Sequence, residues 1–155
     1  MLREGVRAPA FSLPSSEGGR LSLKDLRGRT VVLYFYPKDE TPGCTREACA
    51  FRDARARLAK AGAVVLGVSP DSVASHEGFG TRHRLGFPLL SDPDKAVARA
   101  YGAFGEKLMY GRKVQGMIRS TFVIDAGGVV RKVFPRVRVE GHAEQVLQAV
   151  LALGS

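Results

Sequence analysis

The sequence predicts one α/β domain over residues 1–155, with a central mixed β-sheet flanked by helices. Three observations predict it. Two short runs, "TVVLYFYP" (30–37) and "AVVLGVSP" (63–70), are apolar almost throughout and rich in β-branched or aromatic residues, as strands buried on both faces are. Each is followed by a stretch of helix formers. The last third instead carries two β runs in succession and then an amphipathic helix. The order β-α-β-α therefore gives way to β-β-α, which calls for a mixed sheet with helices on both sides.

Taken in order, "FSLPSSEGGRLSLKDLRG" (11–28) reads as a small N-terminal β-hairpin around its Gly pair. The first buried strand follows at 30–37. "TPGCTREACAFRDARARLAKAG" (41–62) reads as a helix with Thr41 as N-cap, Pro42 in the first helical position and Gly62 as the stop. The second buried strand, 63–70, leads to a helix in "DSVASHEGFGTRHRLG" (71–86), capped by Asp71 or Ser72 and weakened by Gly78 and Gly80. "FPLLSD" (87–92) is a short extended piece, and "PDKAVARAYGA" (93–103) a short helix with Pro93 near its first turn. "FGEKLMYGRK" (104–113), with two aromatics and three cations, reads equally as a docking surface or a packed loop. "RSTFVIDAGGVVRKVFPRV" (119–137) is two β runs joined by "DAGG", a hairpin. "GHAEQVLQAVLAL" (141–153) is the final helix, offering Val146, Leu147, Val150, Leu151 and Leu153 to the core. The whole is compatible with a thioredoxin-like fold carrying N-terminal and central additions.

Composition narrows the function classes. At 155 residues, 45% hydrophobic and 25% charged, the chain can bury an ordinary globular core. No apolar run approaches the length of a membrane span, and "MLREGVRAPAF" has no apolar leader-like segment, so the expected place is the cytoplasm, away from membranes. The net charge is +9, but the cations are scattered and no nucleic-acid motif accompanies them. A solvated basic surface is the reading, with no nucleic-acid partner.

The chain has two cysteines, Cys44 and Cys49, both in the first turns of the expected 41–62 helix. A helix start offers unpaired N–H groups and a partial positive charge, and both favour thiolate over thiol. Glu40 and Glu47 oppose this by charge, and Arg46 is a possible counterweight. On a regular helix, five residues separate the two Cα atoms by ~8.6 Å. Disulfides need roughly 4.4–6.8 Å, so the thiols cannot join while that helix is intact. Three readings stay open on the residues alone. Both thiols could be small buried hydrophobes. A metal site lacks close ligands, because His76, His83 and His142 are scattered. A thiol–disulfide oxidoreductase would carry C-x-x-C here, and this chain does not.

The wider sequence bears on the choice. "FYPKDETPGCTREACAFRD" (35–53) resembles the peroxidatic motif P-x-x-x-T-x-x-C of the peroxiredoxins, with Pro37, Thr41 and Cys44 at its fixed places. The second cysteine five residues on resembles the atypical two-cysteine, bacterioferritin comigratory protein or Q-type subgroup. The likeness continues through "GVSPDSVASHEGF", "FPLLSD", "FGEKLMYGRK" and "GMIRSTFVID", and spans about residues 5–153. Phe104 departs from it, standing where many relatives carry Trp.

The resemblance implies a thiol-dependent peroxidase for hydrogen peroxide and organic hydroperoxides, serving antioxidant defence. It makes Cys44 the peroxidatic cysteine and Cys49 the one that resolves its sulfenic acid as an intramolecular disulfide. It gives Thr41 a hydrogen bond to sulfur and peroxide, Pro37 a shielding role and Arg119 the guanidinium that steadies the thiolate. It needs no histidine base, and no metal or organic cofactor. A thioredoxin- or glutaredoxin-type protein would return the electrons, and resolution inside one chain makes a monomer sufficient. The alternatives are a redox sensor that oxidises once without turnover and a protein disulfide reductase that reacts slowly with peroxide.

Overall fold

The computed structural model describes residues 1–154. Strands β1 (Ser12–Pro14) and β2 (Arg20–Ser22) form the expected N-terminal hairpin, followed by a 3-10 turn at Leu23–Leu26. The central sheet contains β3 (Thr30–Phe35), β4 (Ala63–Ser69) and β5 (Leu89–Ser91) in parallel. The two late strands of the 119–137 hairpin, Ser120–Ile124 and Val130–Phe134, join it antiparallel on the other side of β3. The helices are α1 (Pro42–Lys60), α2 (Val73–Arg82), α3 (Ala96–Tyr101) and α4 (His142–Leu153). This is the mixed, helix-flanked sheet of the thioredoxin-like order, and no helix among the described residues is long and apolar enough to cross a membrane.

The continuous apolar runs have a direct cause. β3 lies at the middle of the sheet, so both its faces are covered. Val32, Tyr34 and Tyr36 face the core shared with α1, α2 and α4. Val31, Leu33 and Phe35 face the opposite core, with Phe11, Tyr101 and Phe122. The register Tyr34↔Gly67 places the Tyr34 ring over a residue with no side chain. A Cβ at Gly67 would lie 2.9 Å from Tyr34 Cζ and 2.8 Å from a Leu89 methyl. Tyr34 in turn stacks on Tyr36 and Phe51, tying β3 to α1.

Two readings change. The 104–113 segment is not a packed loop but half of a second hairpin. It pairs β6 (Phe104–Met109) with β7 (Arg112–Met117), which makes the two late strands of the main sheet β8 (Ser120–Ile124) and β9 (Val130–Phe134). Its turn runs through Tyr110 at φ 53° and Gly111 at φ 78°, the two positive angles that suit a two-residue hairpin turn. Pro93 stands near the first turn of α3, as expected, three residues ahead of Ala96, and Lys95 between them adopts a left-handed conformation. Leu151 is half exposed on α4, whereas Val146, Leu147 and Val150 are buried. The apolar face of that helix is narrower than its composition suggests.

The packing at Gly67 yields a first test. Gly67→Ala should destabilise the fold by about 1–3 kcal/mol, since the clash is with a ring and a methyl held on neighbouring strands. Urea unfolding would read this directly, and an unchanged midpoint would mean that the Tyr34 ring can move aside.

Candidate functional site

Sequence-local chemistry sets up the start of α1. Thr41 occupies the N-cap position with extended backbone, and Pro42 follows it as expected. The Thr41 side chain, however, does not cap the helix. Its hydroxyl turns back and donates to the Lys38 carbonyl at 2.9 Å, and no hydrogen bond joins it to Cys44 among the described residues. The first N–H groups of α1 are therefore left without a side-chain acceptor, beside a buried Cys44 that is 2% exposed. Cys49 lies further along the same unbroken helix and is half-buried, and both thiols are free.

The sheet brings the cation. Arg119 directly precedes β8, and the β3–β8 register sets Ser120 against Phe35, so Arg119 arrives beside the loop that joins β3 to α1. Its Nη2 donates to Cys44 Sγ at 3.2 Å, and its Nη1 to Glu47 Oε1 at 2.6 Å. Gly43 permits this approach, since a Cβ there would stand 3.3 Å from Arg119 Nη2. Arg46, the cation nearest in sequence, is exposed and takes no part. Pro37 and Arg119 together line a pocket of about 260 Å³ with Lys107, Met117, Ile118, Arg136 and Val137.

Glu47 was legible in the sequence only as an opposing charge. The fold makes it the partner of Arg119 instead. It is 1% exposed, and its Oε2 has no hydrogen-bond partner among the described residues. Burial pushes its carboxyl up to about 7, against the pull of Arg119. The guanidinium value rises too, which favours its charged form where the rise at Glu47 favours the neutral one. Burial opposes its charge, but Glu47 and Cys44 outweigh that and hold it above the ordinary arginine value. The asymmetry is one of desolvation: the carboxylate is sealed in, while the guanidinium keeps an edge on the pocket.

The loop before α1 is anchored from α2. Asp39 is buried and takes hydrogen bonds from Tyr36 (2.6 Å) and Ser75 (2.8 Å), with His76 Nδ1 at 2.7 Å. Burial would raise its carboxyl, yet the His76 and Tyr36 contacts prevail and lower it. The next residue, Glu40, turns at φ 67°, which a non-glycine residue adopts at a cost of about 1–2 kcal/mol. It pairs with Arg82 and His83. Asp39, Asp71 and His76 offer donor atoms within 4.8 Å of one another, the one such cluster among the described residues. Its groups are already engaged: His76 Nε2 meets the Leu90 carbonyl at 3.0 Å, and Asp71 Oδ2 takes Ser69 and the Asp39 N–H. The cluster works as a hydrogen-bonded anchor. His142 lies elsewhere, at the start of α4 against Thr121, with burial pushing its ring down to about 4.

Of the residues singled out from the sequence, Cys44, Arg119 and Pro37 converge. Thr41 stands at the helix start but is turned to Lys38, and Cys49 is on the same helix beyond Glu47. Missed were the bridging role of Glu47 and the arrival of Lys107. The first depends on a contact between elements 72 residues apart, the second on strand pairing within the β6–β7 hairpin.

Comparison with known proteins bears on this arrangement. Residues 5–133 match the AhpC/TSA family model. The peroxiredoxin Bcp of Xanthomonas campestris is 46% identical over 147 residues, covering 94% of this chain and 92% of that one. A solved bacterioferritin comigratory protein of the same organism, studied for alkyl peroxide reduction through trapped intermediate and ligand complexes, superposes with a TM-score of 0.88. It is 43% identical and the match covers 94% of this chain and 92% of that chain. A Cys-to-Ser variant of Xylella fastidiosa PrxQ gives 0.93 at 36% identity, over 100% and 99% of the two chains.

The buried carboxyl of Glu47 predicts a pH dependence. Its value in the fold is raised from 4.5 to about 7, so between those limits the native state holds a proton that the unfolded chain has released. Stability therefore falls as pH rises through that window. Relative to Glu47→Gln, the wild type should lose about 2–3 kcal/mol between pH 4.5 and 7.5. Urea midpoints of the two proteins across that range measure it, and parallel curves would rule the effect out.

Proposed function

The chain belongs to the AhpC/TSA family and is a thiol peroxidase of the peroxiredoxin type, and from that premise we propose which residues carry the reaction. Cys44 is the peroxidatic cysteine. The observation that carries this is the Arg119 contact: a guanidinium donating to Sγ at 3.2 Å stabilises a thiolate, the nucleophilic form. The thiolate attacks one peroxide oxygen, the O–O bond breaks, and Cys44 becomes a sulfenic acid while water or an alcohol departs. The uncapped N–H groups at Gly43 and Cys44 face the same charge. Pro37 walls the pocket and limits water. Thr41 shapes the helix start through Lys38, and a swing of its hydroxyl toward the peroxide accompanies substrate binding.

Cys49 resolves the sulfenic acid. The two thiols sit on one intact helix, ~8.6 Å apart at Cα for five residues of regular helix. The first turns of α1 must unwind before the sulfurs meet. Unwinding also exposes the disulfide to an external dithiol protein of the thioredoxin or glutaredoxin kind, which closes the cycle by exchange. Both cysteines belong to one chain, so a monomer suffices. The site calls on no metal or organic cofactor, and the scattered basic surface serves solubility rather than nucleic acid or membrane. Residues 1–155 act as one domain, in the cytoplasm.

The test is intact mass and free-thiol count after one equivalent of hydrogen peroxide. Wild type should lose both thiols as an internal disulfide. Cys49→Ser should stop at a trappable sulfenic acid on Cys44, and Cys44→Ser should consume no peroxide. Survival of both thiols in the folded wild type would sink the assignment.

A further inference from the structure

The hairpin β6–β7 carries a lysine into the pocket that Pro37 and Arg119 line. Lys107 lies on β6, and its stem folds across the partner strand rather than out to solvent. Gly116 makes this possible: a Cβ there would stand 3.0 Å from Lys107 Cε. The ammonium then donates to the Met117 carbonyl at 2.7 Å, beside the pocket it lines with Pro37 and Arg119. Burial of the stem and the neighbouring Arg119 hold it below the ordinary lysine range, while Cys44 pulls the other way.

The thiolate attacks in line, so the oxygen that departs lies on the far side of the attacked one, away from Sγ. A cation beside that oxygen stabilises the charge it gains. Arg119 has one N–H group on Cys44 and another on Glu47, which holds its guanidinium on the sulfur side. Lys107 has a neutral carbonyl as its hydrogen-bond partner, and an ammonium has two further N–H groups to offer. Resting on the assignment of Cys44 as the attacking thiolate, we propose that Lys107 is a further catalytic residue, whose ammonium stabilises the negative charge that develops on the departing oxygen.

The balance of the step is simple. A sulfur lone pair forms the S–O bond, and the attacked oxygen keeps its hydrogen in Cys44–SOH. The O–O pair leaves on the far oxygen as hydroxide or alkoxide beside Lys107, and that oxygen then takes a proton from water. Sulfur is oxidised by two electrons and the peroxide is reduced by two.

Such a role makes the effect depend on the leaving group, which a role in packing does not. Hydroxide and tert-butoxide are strongly basic leaving groups, whereas peracetic acid expels weakly basic acetate and needs little help. Single-turnover oxidation of the fully reduced protein is measured with hydrogen peroxide, tert-butyl hydroperoxide and peracetic acid. Lys107→Gln keeps a hydrogen-bond donor and loses the charge. It should slow the first two oxidants roughly 10- to 100-fold and peracetic acid less than about threefold. Lys107→Arg should restore most of the rate. Gly116→Val, which displaces the ammonium without changing charge, should repeat the Gln pattern and serves if Lys107→Gln folds poorly. Unchanged rates, or equal slowing with all three oxidants and no rescue by Arg, would overturn the proposal while Cys44-dependent peroxide consumption stands. Peroxide consumption independent of Cys44 would bring down both.

Discussion

The guanidinium of Arg119 is the contact on which the site depends. It touches Cys44 and Glu47 at once, and so joins the start of β8 to the start of α1. The bridge exists only because β8 pairs antiparallel to β3 in a register that ends at Ser120↔Phe35. A slip of one residue would turn Arg119 to the other face of the sheet. The aromatic packing of Tyr34 on Phe51 fixes α1 against the same strand. Core packing and site geometry are thus one constraint, and the partly frustrated Glu47 is held in place by both.

The proposed resolution by Cys49 sets movement against that constraint. An intact α1 holds Cys44 beside Arg119, and the same intact helix keeps Cys49 out of reach. The flanks of the segment are better tied than the segment itself. Upstream, Asp39 is held by Tyr36, Ser75 and His76. Downstream, Arg52 and Arg55 reach the carbonyls of His83 and Leu85 beyond α2. Between them the first turns of α1 have no side-chain cap, so opening there breaks the Arg119 contacts to Cys44 and Glu47 but no cap. Region by region, the fold confines where a helix can yield.

The hairpin β6–β7 shows why part of the molecule was not legible. Its turn is built on Tyr110 and Gly111, without the Asn-Gly or Asp-Gly pair that announces such turns. Its strands cover little of the core, so "FGEKLMYGRK" shows no clear alternation of apolar and polar residues. Tyr110 is 99% exposed at its tip, which a pattern of burial cannot foresee. The central strands were legible for the opposite reason: burial on both faces leaves an unbroken apolar run.

The sequence by itself determined the α/β order, the ends of α1, and the grouping of Pro37, Thr41 and Cys44. Each rests on neighbours in the chain: a cap, a proline, a run of β-branched residues. It also set the distance between the two thiols, because helix geometry is local. Only the tertiary structure decided how Arg119, which the family resemblance singles out, reaches Cys44 while Arg46 stays exposed, that Glu47 is a partner rather than an opponent, and that Lys107 bends inward over Gly116. Those contacts join residues 75, 72 and 10 positions apart, or rest on a cross-strand gap, and strand register alone brings them together.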